Sequence, residues 1–400
     1  MANEILLVAG TNYPEYKPVS KTKWRLHPYN AGPWRIFSTR WAERAHKVDR
    51  TTIIRLIDFF NGTFEEASFD KKGQVKFNLI TDWGKLNPNN FRRYNSANKG
   101  DQSLFVLEKE VTLPKGEGPS IAYFTGIDEV GTTTVSLRDY ISHFFGAPPN
   151  PLNELTISMT DVYDYIANEI GATRSHSLSE LHIFSHGYAG GPILCNSLAI
   201  RNAPPERSLL DKDGRNYDFS TKNMDLANFK KAFSLNGRCY IWGCNAYIFM
   251  KKLILEIIKQ KKRISDPTQK KYQFQWTSDW ISDQVFFHKL LGGTTGKSDK
   301  LSLNELIVII RNEMAKTYMQ NLALASGCKV LGGLPGTYSD LDHTGVKANQ
   351  LLHIPMGDKF GDEQNFSSVL DFYKNSLAVE FDPSLGFSST YGRGYGIFKP

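Results

Sequence analysis

The chain has 400 residues, 40% of them hydrophobic and 12% aromatic, which excludes a disordered polypeptide and supports a sizeable core. Its 48 Lys and Arg against 41 Asp and Glu leave a formal charge of +7. That excess sits in local runs such as Lys259–Arg263 and Lys270-Lys271, which read as solvated faces. With no aromatic-and-basic motif beside them, no nucleic-acid partner is expected.

The four cysteines, Cys195, Cys239, Cys244 and Cys328, contain no C-x-x-C pair. They read as reduced thiols, and the scattered histidines give no metal-ligand cluster, so no metal is expected. The start, Met1-Ala2-Asn3-Glu4 before Ile5-Leu6-Leu7-Val8-Ala9, lacks a cationic leader and reads as a first strand. No apolar run reaches the length of a membrane span. The chain is expected to be made as a soluble cytoplasmic protein and, if exported, to leave without a cleaved signal peptide.

In chain order, strand-like apolar runs end at or just before glycine in six places: Ile5–Gly10, Thr52–Gly62, Ser120–Gly126, Glu180–Gly187, Arg238–Gly243 and Cys328–Gly332. Between them, Val162, Ile166 and Ile170 predict a helix capped by Ser158 or Thr160 and stopped at Gly171. Ala246–Gln260 predicts a second helix. Ser302-Leu303-Asn304-Glu305 has the spacing of a capping box and opens a third, expected to run to about Ser326. Strands alternating with helices predict an α/β fold, an α/β/α sandwich of about six mostly parallel strands covered on both faces.

Residues 11–50 show no clear periodicity, and 64–98 carry turn signals between short alternating runs, as a β-hairpin insertion would. The tail from about Leu334 is rich in Gly, Ser and Asp and reads as loop. The expectation is one elaborated α/β domain over 1–400. It has an insertion or elaboration within 11–118, a catalytic core at 120–337 and a loop-rich extension at 338–400.

Two runs carry the chemistry. Leu181-His182-Ile183-Phe184-Ser185-His186-Gly187 stops at a His-Gly, and Cys239-Tyr240-Ile241-Trp242-Gly243-Cys244-Asn245-Ala246 stops at a Gly-Cys. If the two strands are parallel neighbours, His186 and Cys244 emerge together at the carboxyl edge, where ligands gather in open α/β sheets. A histidine beside a cysteine is a base and a nucleophile. Cys244 lies at a strand-to-helix junction, where a neighbouring imidazole and outward amides favour a thiolate. The amides of Cys244 and Gly187 could hold an oxyanion, and Gly187 lets backbone approach a substrate carbonyl.

Strand-His-Gly followed by strand-Gly-Cys resembles the caspase-like cysteine peptidases, the clan that includes caspases, gingipains, separase and the CHAT-type bacterial proteases. Ser185-His186-Gly187-Tyr188-Ala189-Gly190-Gly191 and Trp242-Gly243-Cys244-Asn245-Ala246 look closest to a bacterial caspase-like module with Ser-His-Gly and Gly-Cys-Asn motifs. Tyr318–Ala323, Ser326-Gly327 and Cys328–Gly332 follow the same order. The resemblance covers about Ser179–Thr337. It departs at Ala246, which follows Asn245 directly where the module has an intervening residue.

The resemblance implies a caspase-like sandwich, a protein or peptide substrate, His186 as base or acid, Cys244 as nucleophile and no cofactor. It also implies a setting as a bacterial effector or toxin, with a secretion-system or immunity partner. Ser185, Gly190, Gly191 and Asn245 are candidates for the substrate cleft.

Two alternatives stand beside this reading. Phe184-Ser185-His186-Gly187 supplies part of a nucleophile elbow, making Ser185 the nucleophile of a lipase- or esterase-type hydrolase with Asp340, Asp342 and His343 downstream. Its first glycine is replaced by Ile183. The same fold could instead be a non-catalytic binding or toxin module. Asp211–Asp218 resembles half of a calcium loop without its register, and reads as a surface turn.

Overall fold

Strand β1, Glu4–Ala9, is buried along its whole length, and its aliphatic run Ile5–Ala9, without alternation, is what a sheet covered on both faces requires. The computed structural model describes residues 3–11, 15–20, 23–27, 32–83, 90–94, 102–106, 110–112, 123–128, 131–136, 159–188, 191–194, 225–245, 248–261, 273–275, 300–341, 351–355, 363–382 and 395–400. The chain divides into two compact units. The first is Met1–Gly243 with Leu322–Lys329 and Pro400, and the second is Cys244–Asn321 with Val330–Lys399.

In the first unit β1 pairs in parallel with β2 (Ile53–Asp58) on one side and β5 (Leu178–Phe184) on the other. β5 pairs in parallel with β6 (Phe233–Ile241). Beyond β2 the sheet continues antiparallel through β3 (Thr63–Phe69) and β4 (Val75–Asp82). The sheet order is therefore β6-β5-β1-β2-β3-β4. The hairpin expected within 64–98 is present as β3–β4, and it extends the sheet rather than interrupting it.

The pairing of β6 is interrupted between Leu178↔Phe233 and Glu180↔Arg238, and Leu235 is 98% exposed there. Only the part from Arg238 reads as a buried run, which is why the predicted strand begins five residues late. The strand at Tyr123–Asp128 belongs to a separate four-stranded antiparallel sheet, so the run at Ser120–Gly126 does not join the large one.

Helices cover both faces of this sheet. Helix α1, Trp34–Val48, lies within the segment expected to lack periodicity. Trp34, Phe37, Ser38 and Ala42 form its buried stripe, at the i, i+3, i+4, i+8 spacing of an amphipathic helix. It packs over β1, β2 and β5. On the opposite face, α2 (Met159–Asp164) passes into a π-helix at Tyr165–Gly171, with the Ala172 amide bonding back to the Ala167 carbonyl. Ile166 and Ile170 are fully buried, so the predicted apolar spacing is met although the last turns are wider than α. Helix α3 (Leu226–Ala232) packs beside this π segment.

The second unit holds α4 (Ile248–Lys261), α5 (Leu303–Ala315), α6 (Tyr318–Ser326, passing into the first unit at Leu322), β7 (Lys329–Gly333), β8 (Thr337–Leu341), β9 (Leu351–Pro355), α7 (Glu363–Leu377), β10 (Glu380–Phe381) and β11 (Tyr395–Phe398). β7, β11 and β10 pair antiparallel in that order. The sheet strands thus number six in the first unit and three in the second, against about six expected, with parallel pairing in the β6-β5-β1-β2 stretch.

The capping box is present. Ser302 Oγ accepts from the Glu305 amide, and the Glu305 side chain accepts from Ser302. The helix it opens stops at Ala315 instead of Ser326. The Lys316 and Thr317 amides bond to Glu313 and Met314 three residues back, and Thr317 Oγ1 donates to the Met314 carbonyl at 2.7 Å. A hydroxyl competing for backbone in a tightened turn ends one helix before the next begins. The tail from Leu334 contains α7, whose Val369, Leu370, Phe372, Tyr373 and Leu377 are buried, so it is more than loop. Among the described residues no helix is long and apolar enough to cross a membrane.

Candidate active site

β5 and β6 run side by side in register, His182 against Tyr240 and Ile183 against Ile241. The chain leaves both at the carboxyl edge of the first unit's sheet. At that edge the β5 exit is clamped by its neighbours. The Gly10 amide donates to the Phe184 carbonyl at 2.8 Å, and the Trp242 amide donates to the Ile183 carbonyl at 2.9 Å.

Two glycines allow the approach. A Cβ on Gly10 would lie 2.8 Å from Ser185 Cβ. One on Gly243 would lie 2.7 Å from the Ser185 carbonyl oxygen and 3.2 Å from both the Gly187 nitrogen and the His186 carbonyl carbon. Gly243 packs backbone on backbone and Gly10 packs on the Cβ of Ser185, so a side chain at either would drive the segments apart.

His186 opens a short hairpin in which His186–Tyr188 pairs antiparallel with Gly191–Ile193. Its ring meets that of Trp34 at 5.2 Å and 82°, an edge-on contact made by the first residue of α1. Gly187 is buried beside Gly243. Gly191, with φ +135°, is also buried and pairs with Tyr188. Gly190, Cys195, Asp342, His343 and Asp211–Asp218 lie outside the described residues.

Ser185 departs from its expected place in the cleft. It is fully buried, and its hydroxyl donates to the His186 carbonyl at 2.6 Å. A hydroxyl so placed supports the turn and is closed to a substrate.

In the second unit Cys244 is part-exposed, directly following Gly243 in the chain. Asn245, also expected in the cleft, is fully buried. Its amide donates to the Thr337 carbonyl at 3.0 Å, its carbonyl accepts from the Gly336 amide at 2.8 Å, and Nδ2 donates to the Gly333 carbonyl at 2.8 Å. Asn245 therefore ties the residue after Cys244 to the turn between β7 and β8, a supporting role its polar side chain alone does not reveal. Asp340 lies on β8.

The other two described thiols differ from Cys244. Cys239 is sealed in the sheet, where burial pushes its thiol well up. Burial pushes that of Cys328 up to about 11. Both are thereby held toward the protonated thiol.

A polar chain beneath the His186 turn escaped the reading of the sequence. His182, counted there as part of an apolar run, is fully buried under α1. It is stacked on Tyr240 at 4.4 Å and meets the ring of Trp41 at 4.2 Å, tilted by 43°. Its Nε2 lies 2.8 Å from Glu180 Oε2 and its Nδ1 3.0 Å from Trp242 Nε1. Trp41 Nε1 donates to the same Glu180 oxygen at 3.1 Å.

Burial holds the His182 pKa below its usual value despite the adjacent carboxylate. For Glu180, burial acts upward. The hydrogen bonds from His182 and Trp41 and the charge of Arg238 outweigh it and hold the carboxyl below its usual range. The signal that could have exposed this chain was a histidine in the same alternation as Phe184, opposite a strand bearing a tryptophan.

Comparison with protein-family models, with curated proteins and with solved structures finds no match.

Proposed function

We propose that this chain is a cysteine-dependent peptide hydrolase on a caspase-like α/β/α sandwich, with Cys244 as nucleophile and His186 as general base and acid. One observation carries the reading. β5 and β6 are parallel neighbours, and the residue before Cys244 seats its Cα against the backbone of His186 and Gly187. Part-exposure of Cys244, against the sealed Cys239 and Cys328, supports the choice of thiol.

In this mechanism His186 takes the Cys244 proton as sulfur attacks the scissile carbonyl. The Gly187 and Cys244 amides stabilise the oxyanion. Collapse breaks the C–N bond, and the proton passes from His186 to the leaving amine. Water, deprotonated by His186, then cleaves the thioester and returns the thiol. The chemistry requires no metal or organic cofactor. A bacterial effector or toxin acting on a protein substrate is the setting this resemblance suggests.

The test is alkylation of the folded chain by iodoacetamide, read peptide by peptide. Cys244 is expected to label at least tenfold faster than Cys239 and Cys328, and His186→Ala to remove the advantage. Equal, slow labelling of all three would sink the peptidase. A fluorophosphonate adduct at Ser185 would revive the serine hydrolase, which the buried hydroxyl disfavours.

A further inference from the structure

A histidine inside an aromatic stack is costly unless both ring nitrogens find partners. At His182 both do, and the partners dictate the proton. Trp242 Nε1 can only donate, so Nδ1, 3.0 Å away, carries no proton and accepts. The proton therefore sits on Nε2 and is donated to Glu180 Oε2 at 2.8 Å. The same carboxylate oxygen accepts from Trp41 Nε1. The result is a directed chain, Trp242 to His182 to Glu180, in which each group has one allowed role.

Its upper end lies at the candidate site. Trp242 stands just past the end of β6, one residue before Gly243 and two before Cys244. Its ring lies parallel to Phe184 at 5.7 Å and 2°, and its amide is bonded to Ile183. The indole is thus held from the side by His182 and along the backbone by β5. Gly243, next in the chain, makes the close approach to residues 185–187.

We propose that Glu180 and His182 form a positioning relay for the Gly-Cys motif: by fixing the indole of Trp242 they seat Gly243 against the His186-Gly187 turn. The proposal deepens the peptidase reading on which it rests, since the seating is what would bring base and nucleophile to one edge. Glu180 and His182 remain positioning residues and touch no reacting atom. The relay works in one state of the imidazole, the neutral Nε2–H tautomer. A ring protonated at Nδ1 would oppose two donors.

The test uses the full chain, labelled with nitrogen-15, and two variants. His182→Phe keeps a ring in the stack and removes both bonds; Trp242→Phe removes the donor, keeps a smaller ring and serves where the first fails to fold. In the wild type the imidazole nitrogens should report the Nε2–H tautomer, and the Trp242 indole proton should exchange slowly. In either variant the backbone amides at position 242, of Gly243 and of Gly187 should exchange at least tenfold faster, while those of Ile5–Ala9 in the same sheet stay within about twofold.

An Nδ1–H tautomer overturns the relay. So does acceleration that is absent, or that reaches β1 equally, as simple destabilisation would produce. These readings do not depend on turnover. If Cys244 alkylates no faster than Cys239, the peptidase falls, while the exchange pattern still decides the relay.

Discussion

On the α1 side of the first unit's sheet, His182 is buried as a neutral imidazole hydrogen-bonded within an aromatic layer; on the other side, Glu4 is buried by charge. Glu4 Oε1 is 2.6 Å from Arg55 Nη1, and Oε2 is 3.3 Å from Arg174 Nε. The Tyr165 hydroxyl donates to the first of these oxygens at 3.2 Å. Burial, with the Glu4 charge beside it, raises the Tyr165 pKa, so it stays a neutral donor. One arrangement sits at the amino end of β1 and anchors the sheet. The other ends at the carboxyl edge, where the proposed chemistry lies. An ion cluster resists change of any kind, whereas a chain of single-role donors transmits orientation, and that difference can be broken experimentally.

The largest effect is expected at Glu4. Glu4→Gln leaves Arg55 and Arg174 without their shared carboxylate, and removing one partner of a buried ion cluster costs about 3 kcal/mol. The urea midpoint should fall accordingly, while Cys244 alkylation in the folded chain stays unchanged. Loss of the labelling advantage without loss of stability would show that the two regions are not separate in function.

Next is Gly243→Ala. The added methyl would lie 2.7 Å from the Ser185 carbonyl oxygen. The atoms it meets are backbone, so the turn itself must move, at about 2 kcal/mol. Unlike Glu4→Gln, this change should also abolish the alkylation advantage of Cys244. Retained labelling would mean the close approach is packing only.

A smaller effect is expected from acid. The His182 pKa is depressed from 6.5 by burial, so below pH 6.5 the unfolded chain takes up a proton the folded one refuses. Stability is therefore full above pH 6.5 and falls as pH drops toward the folded-state pKa, by at most ~1.4 kcal/mol per pH unit for one proton. The depressed Glu180 carboxyl acts in a lower window, losing its contribution as pH falls below 4.5. Groups facing this pair are Tyr240 and Arg238 from β6 and Trp41 from α1, with Arg44 over the Trp41 ring. Urea melts from pH 7.5 to 5 should show the upper window in the wild type and not in His182→Phe. An identical slope in both would assign it elsewhere.

The sequence made the frame legible where burial on two faces leaves an unbroken apolar run: β1, β5 and the upper part of β6. It also exposed the Ser302 capping box, since that motif is complete within four residues. It hid α1, whose Trp34, Phe37 and Ala42 stripe is diluted by Arg, Glu and Lys on the outer face. It hid the lower part of β6, where Ser234–Gly237 leave the pairing. His186 and Cys244 stand out because each follows an apolar strand run and sits beside a glycine. His182 was concealed inside an apolar run. Asn245 and Ser185 could not be placed, because a polar side chain just past a strand can line a cleft or brace a turn. Only its partners decide: the Thr337, Gly336 and Gly333 backbone for Asn245, and the neighbouring carbonyl for Ser185.

The finest test separates ring from donor within the aromatic stack. Trp41 contributes both, an indole N–H to Glu180 Oε2 at 3.1 Å and a tilted ring centred 4.2 Å from that of His182, with the Arg44 guanidinium 5.4 Å from its own ring. Trp41→Phe removes the donor and keeps a smaller ring. Glu180 retains His182 as partner, so the loss is one charge-assisted hydrogen bond at a partly exposed carboxylate, about 1 kcal/mol. Because Trp41 feeds the carboxylate and not the indole of Trp242, exchange of the Gly187 and Gly243 amides should stay at wild-type rates in this variant. If Trp41→Phe accelerates them as strongly as Trp242→Phe does, the β6 exit is held by the whole aromatic layer rather than by the directed chain through His182.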